Sequence, residues 1–178
     1  MFELKIKVKR LNPDIPLPKV IKKGDWVDLF SAETVKFAAP RVIKGKIVEF
    51  DCKRIALGVA MKLPDGCTGY ILPRSSTPDT YGIEMRNSQA VMDNSYSGNK
   101  DEWRFSARAV RETTIYGPHY AEDGSFQPGS KICQFCIQLN QKATIWQKLR
   151  WLFSNGIKIV EVDDLDSEDR GGFGTTGK

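Results

Sequence analysis

The chain opens on a strict alternation. Phe2, Leu4, Ile6 and Val8 are apolar and the residues between them charged, the period-two signature of a strand with one buried face. Asn12-Pro13-Asp14 and the prolines at 16 and 18 end it. Further short apolar or alternating runs predict strands over 25–30, 42–49, 55–62, 67–72, 89–93, 103–110, 131–139 and 157–163. Turn signals separate them: Pro64-Asp65-Gly66, Pro73, Ser97-Gly98-Asn99, Asp123-Gly124-Ser125 and Pro128-Gly129. Many short strands punctuated this way predict an all-β barrel, sandwich or jelly roll. One segment has the helical period instead. Thr144 caps it, Ile145, Trp146, Leu149, Leu152 and Phe153 make a broad apolar face, and Asn155-Gly156 stops it, predicting one short helix through Phe153. That face is expected to pack on the barrel or on a neighbouring subunit.

With 178 residues, 40% of them hydrophobic, the chain can bury one good core. No apolar run reaches the roughly 18 residues of a membrane span. Met1-Phe2-Glu3-Leu4-Lys5 resembles neither a signal nor a transit peptide, so a cytosolic protein without a membrane partner is expected. The net charge of +5 comes from 27 Lys and Arg against 22 Asp and Glu. These cations are dispersed, and no basic run carries interleaved aromatics, which favours a small polyanion over nucleic acid as the ligand. Of four cysteines, only Cys133 and Cys136 have a C-x-x-C spacing, and they lie in an apolar strand pattern. All four read as free thiols of a reducing compartment rather than zinc ligands.

Residues 1–162 read as one β domain and 163–178 as a flexible arm. The arm is first acidic (Asp163, Asp164, Asp166, Glu168, Asp169) and then glycine-rich, Arg170-Gly171-Gly172-Phe173-Gly174-Thr175-Thr176-Gly177-Lys178. Such a composition offers nothing to a core and fits a disordered end. Yet cations, freed backbone amides and two hydroxyls are what a triphosphate needs, and Phe173 is suited to stacking on a base.

Four other segments carry candidate chemistry. Pro73-Arg74-Ser75-Ser76 follows a strand end and offers a bidentate cation with hydroxyl or amide donors. Asp28 lies among apolar residues in Trp26-Val27-Asp28-Leu29-Phe30-Ser31-Ala32. Asp93 ends the apolar run Ala90-Val91-Met92, ahead of Asn94-Ser95-Tyr96-Ser97-Gly98. Gln134 sits inside an apolar strand, where its amide needs partners. Taken singly these are common features, and an Asp at a strand end is usually a turn former.

In this order the five segments resemble the motifs of the trimeric dUTPase family. Asp28-Leu29-Phe30-Ser31-Ala32 is similar to the first, Pro73-Arg74-Ser75 to the second, and Val91-Met92-Asp93 with Tyr96 and Gly98 to the third. Ile132-Cys133-Gln134 resembles the fourth and Arg170-Gly171 with Gly172 to Gly177 the fifth. The resemblance implies a dUTPase-like jelly roll, or β-clip barrel, with one inserted helix. It implies cleavage of dUTP to dUMP and pyrophosphate by water attack on the α-phosphorus, Asp93 acting as the base. Mg²⁺ carried by the phosphates would contact Asp28 through water. Arg74, Ser75, Gln134, Arg170, Gly174, Thr175 and Thr176 would hold phosphates. Asn87, on a predicted hairpin from Ile83 to Asp93, would serve uracil, Tyr96 the deoxyribose, and Phe173 would stack over the base. The family's sites are shared among three subunits, implying a homotrimer.

The chain departs from the family pattern at Ser76, where glycine is usual, and at Ser95, often acidic. Arg170 stands only three residues before Phe173, closer than the usual five. Residues 99–127 and 141–156 read as insertions, and the lone His119, in the first, as a loop residue. Two alternatives remain open at this point. A dCTP deaminase shares the fold and the Arg-Ser-Ser run, but its glutamate would fall at Trp103, with Glu102 on the other face. A catalytically silent nucleotide sensor or protein-binding relative is the other.

Overall fold

The computed structural model describes residues 2–172. Fifteen strands and two helices follow one another: β1 (Phe2–Arg10), β2 (Val27–Phe30), β3 (Val35–Phe37), β4 (Arg41–Ile43), β5 (Lys46–Glu49), β6 (Cys52–Lys62), β7 (Cys67–Pro73), α1 (Thr77–Tyr81), β8 (Ile83–Met85), β9 (Ala90–Met92), β10 (Glu102–Ala109), β11 (Thr113–Ile115), β12 (Pro118–Tyr120), β13 (Phe126–Pro128), β14 (Lys131–Leu139), α2 (Ile145–Leu152) and β15 (Ser154–Glu161). They form a five-stranded sheet in the order β15-β1-β6-β10-β8 and a four-stranded sheet in the order β2-β14-β7-β9, with three two-stranded ribbons. The class is all-β, as expected.

The alternating pattern explains the core. Leu4, Ile6 and Val8 of β1 are buried while their neighbours face out. The two sheets meet through their largest side chains. Trp103 of β10 packs edge-on against Phe135 of β14, ring centroids 5.2 Å apart at 83°. Both are fully buried, and the Trp103 indole N–H is the one buried side-chain polar atom of the described residues without a partner. Gly58, at φ 66°, bulges β6 where its register with β10 shifts. A Cβ there would stand 2.7 Å from that of Ala32, so only glycine fits.

Several expectations shift. The run 42–49 is not one strand but the β4–β5 hairpin, turned at Lys44 (φ 50°) and Gly45 (φ 76°), the left-handed pair of a tight two-residue turn. The segment from Ile83 to Asp93 is not a hairpin, because β8 joins the five-stranded sheet and β9 the four-stranded one. The stretch 99–127 is not mere insertion, since β10 lies inside the larger sheet between β6 and β8. Only its β12–β13 ribbon stands apart, pairing with no other strand. The helix is where the period placed it, and Thr144 and Gln147 form its capping box. In the arm, Leu165 is fully buried despite its acidic surroundings.

Candidate active site

The β2-β14-β7-β9 sheet places four of the expected residues. On its β2 side, Asp28 is in register with Gln134 of β14, which is in register with Leu72 of β7. Same-rung residues of adjacent strands point to the same face, so Asp28 and Gln134 stand side by side. Arg74 follows β7 and donates its Nε to Asp28 Oδ1 at 2.9 Å. Lys131, at the start of β14, reaches Asp28 Oδ2 at 3.1 Å. Gln134 Nε2 is 3.4 Å from the Pro73 carbonyl, a weak bond that leaves the amide free to turn to a ligand.

The loop after β7 is pinned from beneath. Thr77 is fully buried; its hydroxyl donates to the Ile132 carbonyl at 2.8 Å and accepts from the Arg74 amide at 3.1 Å. It thereby locks the Arg74 backbone against β14 while Ser75 and Ser76 stay exposed. This corner has two cations, one carboxylate, one amide and free hydroxyls. An anion with several oxygens is its natural ligand.

Asp93 lies elsewhere. Met92 pairs with Gly69, three residues along β7 from the rung of Asp28 and three strands across from β2. At about 3.4 Å per residue and 4.8 Å per strand, Asp93 and Asp28 of one chain are roughly 15–20 Å apart. The Asp93 carboxylate is half-exposed and accepts from Arg170 Nη1 at 2.7 Å. Tyr96 stands beside Gly172 and donates its hydroxyl to the Glu102 carbonyl at 2.8 Å. Burial first, then the nearby Asp101 charge, pushes its phenol above the ordinary tyrosine range. Asn87 is exposed on the crossing from β8 to β9. Phe173, Gly174, Thr175 and Thr176 lie outside the described residues.

The expected residues thus form two groups: Asp28, Arg74, Ser75 and Gln134 in one, Asp93, Tyr96 and Arg170 in the other. Sequence reasoning missed Lys131, Thr77 and Asp101. Only Lys131 left a signal, a cation three residues before Gln134 and therefore near its strand end. The thiols are free. Desolvation pushes Cys67 up to about 11 and Cys133 further in the same direction, so neither is a nucleophile near neutrality.

No family model matches the chain. It is, however, 35% identical over 174 residues to the SPbeta prophage-derived deoxyuridine 5'-triphosphate nucleotidohydrolase of Bacillus subtilis strain 168, an alignment spanning 98% of this chain and 99% of that one. The chain belongs to the dUTPase family. The deoxyuridine 5'-triphosphate nucleotidohydrolase of Thermobifida fusca strain YX is 28% identical over 177 residues, 98% of this chain and 79% of that protein. In fold, this member of the dUTPase family is similar to the dUTPase of Streptococcus mutans, with a TM-score of 0.56 at 18% identity over 78% of this chain and 98% of that one. A dUTPase from phage phi11 of S. aureus, solved with the coordination of a structural Mg(II) ion in view, gives 0.55 at 18% identity, over 79% and 94%.

Proposed function

We propose that the chain hydrolyses dUTP to dUMP and pyrophosphate, with Asp93 as general base and the Asp28–Arg74–Lys131–Gln134 corner as its phosphate site. The full-length identity to a deoxyuridine triphosphate nucleotidohydrolase carries this reading. A carboxylate at a strand end, half-open to solvent, can hold a water and take its proton as the water attacks the α-phosphorus. Arg74, Ser75 and Gln134 hold and orient phosphate oxygens, which is most of what phosphoryl transfer asks of a protein. Arg170 supplies a further cation, with Gly174, Thr175 and Thr176 beyond it. Asn87, Tyr96 and Phe173 are assigned to the nucleoside.

The two groups of residues must meet for this chemistry, because a base acts within about 3 Å of the proton it removes. A gap of roughly 15–20 Å in one chain supports a site completed between subunits, in a homotrimer, with the phosphate corner of one chain facing Asp93 of another. The substrate, a free nucleotide, suits a cytosolic enzyme.

Among the described residues no cluster of three His, Cys, Asp or Glu side chains could hold a metal ion. That fits an Mg²⁺ bound mainly by the triphosphate and water, with Asp28 as the one carboxylate at the phosphate corner. When bound, the ion offsets the charge that builds on the phosphates.

The decisive experiment gives purified protein and Mg²⁺ the nucleotides dUTP, dCTP, dTTP and UTP separately. Pyrophosphate from dUTP alone is the expected result. Ammonia from dCTP would overturn it, although the position a deaminase glutamate would take is the fully buried Trp103, and Glu102 is engaged by the Gly58 amide and Arg104.

A further inference from the structure

We propose that Asn94 is a positioning residue for the base, its carboxamide fixing the Asp93 backbone to the β6–β7 turn where the β9 ladder runs out. The inference rests on the dUTPase reading of Asp93. A general base acts only within about 3 Å of the proton it takes, so its main chain must be held. Asp93 is half-exposed and lies one residue beyond the end of β9. The ladder does not reach that far. β9 pairs with β7 through Ala90, Val91 and Met92, the last opposite Gly69, and ends there. Two residues further on, the same antiparallel register sets Asn94 against Cys67.

At that point a side chain takes over from the backbone. Asn94 Nδ2 donates to the Pro64 carbonyl at 2.8 Å and to the Cys67 carbonyl at 3.1 Å. A carboxamide NH₂ has two hydrogens, and both are used here on main-chain oxygens, which leaves the group one orientation. Asp93 is thereby bracketed. Met92 lies in the ladder before it, Asn94 is tied down after it, and its own carbonyl accepts from the Tyr96 amide at 2.9 Å. The turn that receives Asn94 is itself held. The Cys67 amide closes it on the Pro64 carbonyl at 3.1 Å, and the Asn140 amide, just past β14, donates to the Gly66 carbonyl at 2.8 Å. Gly66, at φ 76°, packs so closely on α2 that a Cβ would stand 2.7 Å from Gln147 Oε1. Through Asn94 the base is anchored to a turn fixed between the end of β14 and helix α2.

Asn94→Ala and Asn94→Leu both remove the two donors, the leucine with little change of shape. Asn94 is half-buried in a loop outside the core, so both variants should fold and melt as wild type does. In each, the Tyr96 amide, which closes the turn at Asp93, should exchange with solvent at least about tenfold faster. With dUTP, kcat should fall about 10- to 100-fold, the scale of a catalytic group displaced by up to an ångström. Affinity for a non-hydrolysable dUTP analogue should stay within about threefold of wild type, because Asn94 holds a group of the chemical step and none of the phosphate corner.

A double mutant separates aiming the base from general damage to the site. Once Asp93→Asn has removed the base there is nothing to aim, so N94A should lower the residual turnover by less than about twofold. A loss of the same size with and without Asp93 makes Asn94 merely structural and overturns the proposal. Wild-type turnover in N94A and N94L, or unchanged exchange of the Tyr96 amide, overturns it too. A wild-type protein inert toward dUTP sinks the dUTPase reading instead, and the Tyr96 exchange still decides whether Asn94 holds the loop.

Discussion

Arg170 Nη1 sits 2.7 Å from Asp93 Oδ2, joining two residues 77 positions apart in sequence. One was expected on phosphate oxygens and the other on a water molecule. Their pairing is consistent with both tasks, because the Asp93 carboxylate is 53% exposed and the Arg170 side chain 29%. An ion pair in contact with solvent contributes less than about 1 kcal/mol, so a triphosphate can take the guanidinium at little cost. On the proposed function, the arriving phosphates would release the carboxylate for its water.

Replacing Asp93 with Asn keeps the shape and the nucleotide contacts but removes the proton acceptor. Turnover should drop about 10²- to 10⁴-fold, the usual contribution of a general base. Binding of a non-hydrolysable dUTP analogue, followed by calorimetry, should stay within a few-fold of wild type. Unchanged turnover would take Asp93 out of the mechanism.

Arg74→Lys probes the phosphate corner. Lysine retains the charge but loses the planar fork and the Nε donor now given to Asp28. Charge-assisted hydrogen bonds are worth roughly 1.5–3 kcal/mol each, so kcat/KM for dUTP should fall by about 10- to 100-fold. Steady-state kinetics suffice, and a value within twofold of wild type would mean that Lys131 alone supplies the needed cation.

The elements that share one period along their length were legible in the sequence. The interval 131–139 matches β14 residue for residue, and the cap at Thr144 was readable because both members of its capping box are side chains. Three-residue strands such as β3, β8 and β11 were not, since so short a run shows no period and is set by its partner across the sheet. The phosphate corner was legible by resemblance and by residue type. Its division from Asp93 was implied only by resemblance to a family whose sites are shared among subunits, because strand order and register belong to the fold and leave no local mark. The arm misled in a similar way: a single leucine among acids reads as solvated, yet the fold buries Leu165 beside the loop at Asn99.

Leu165→Ala separates local from global stability. A buried leucine truncated in a rigid core costs about 2–5 kcal/mol. Here the arm can open without the barrel unfolding, so the lost contact acts mainly on that local equilibrium. Amide exchange in 164–171 should accelerate by tenfold or more while the melting temperature moves by no more than about 2 °C. A melting point lowered by 8 °C or more would show that the arm belongs to the cooperative core.

The buried thiols predict an alkaline weakness with a definite sign. Burial raises Cys67 to about 11 in the folded protein, against 9.0 for an unperturbed thiol, and raises Cys133 as well. Between these values the unfolded chain has released a proton that the folded chain keeps, so the unfolded state binds fewer protons and stability falls as pH rises. The contribution is intact below about pH 8.5 and is lost progressively toward pH 11. For Cys67, the loss between pH 8 and pH 10 is on the order of 1 kcal/mol. Urea unfolding at the two pH values measures it, and lysines and tyrosines that titrate in the same range affect a Cys67→Ala variant equally. Wild type should therefore lose more stability than the variant over this interval. Equal losses would mean that the buried Cys67 thiol does not set the alkaline limit.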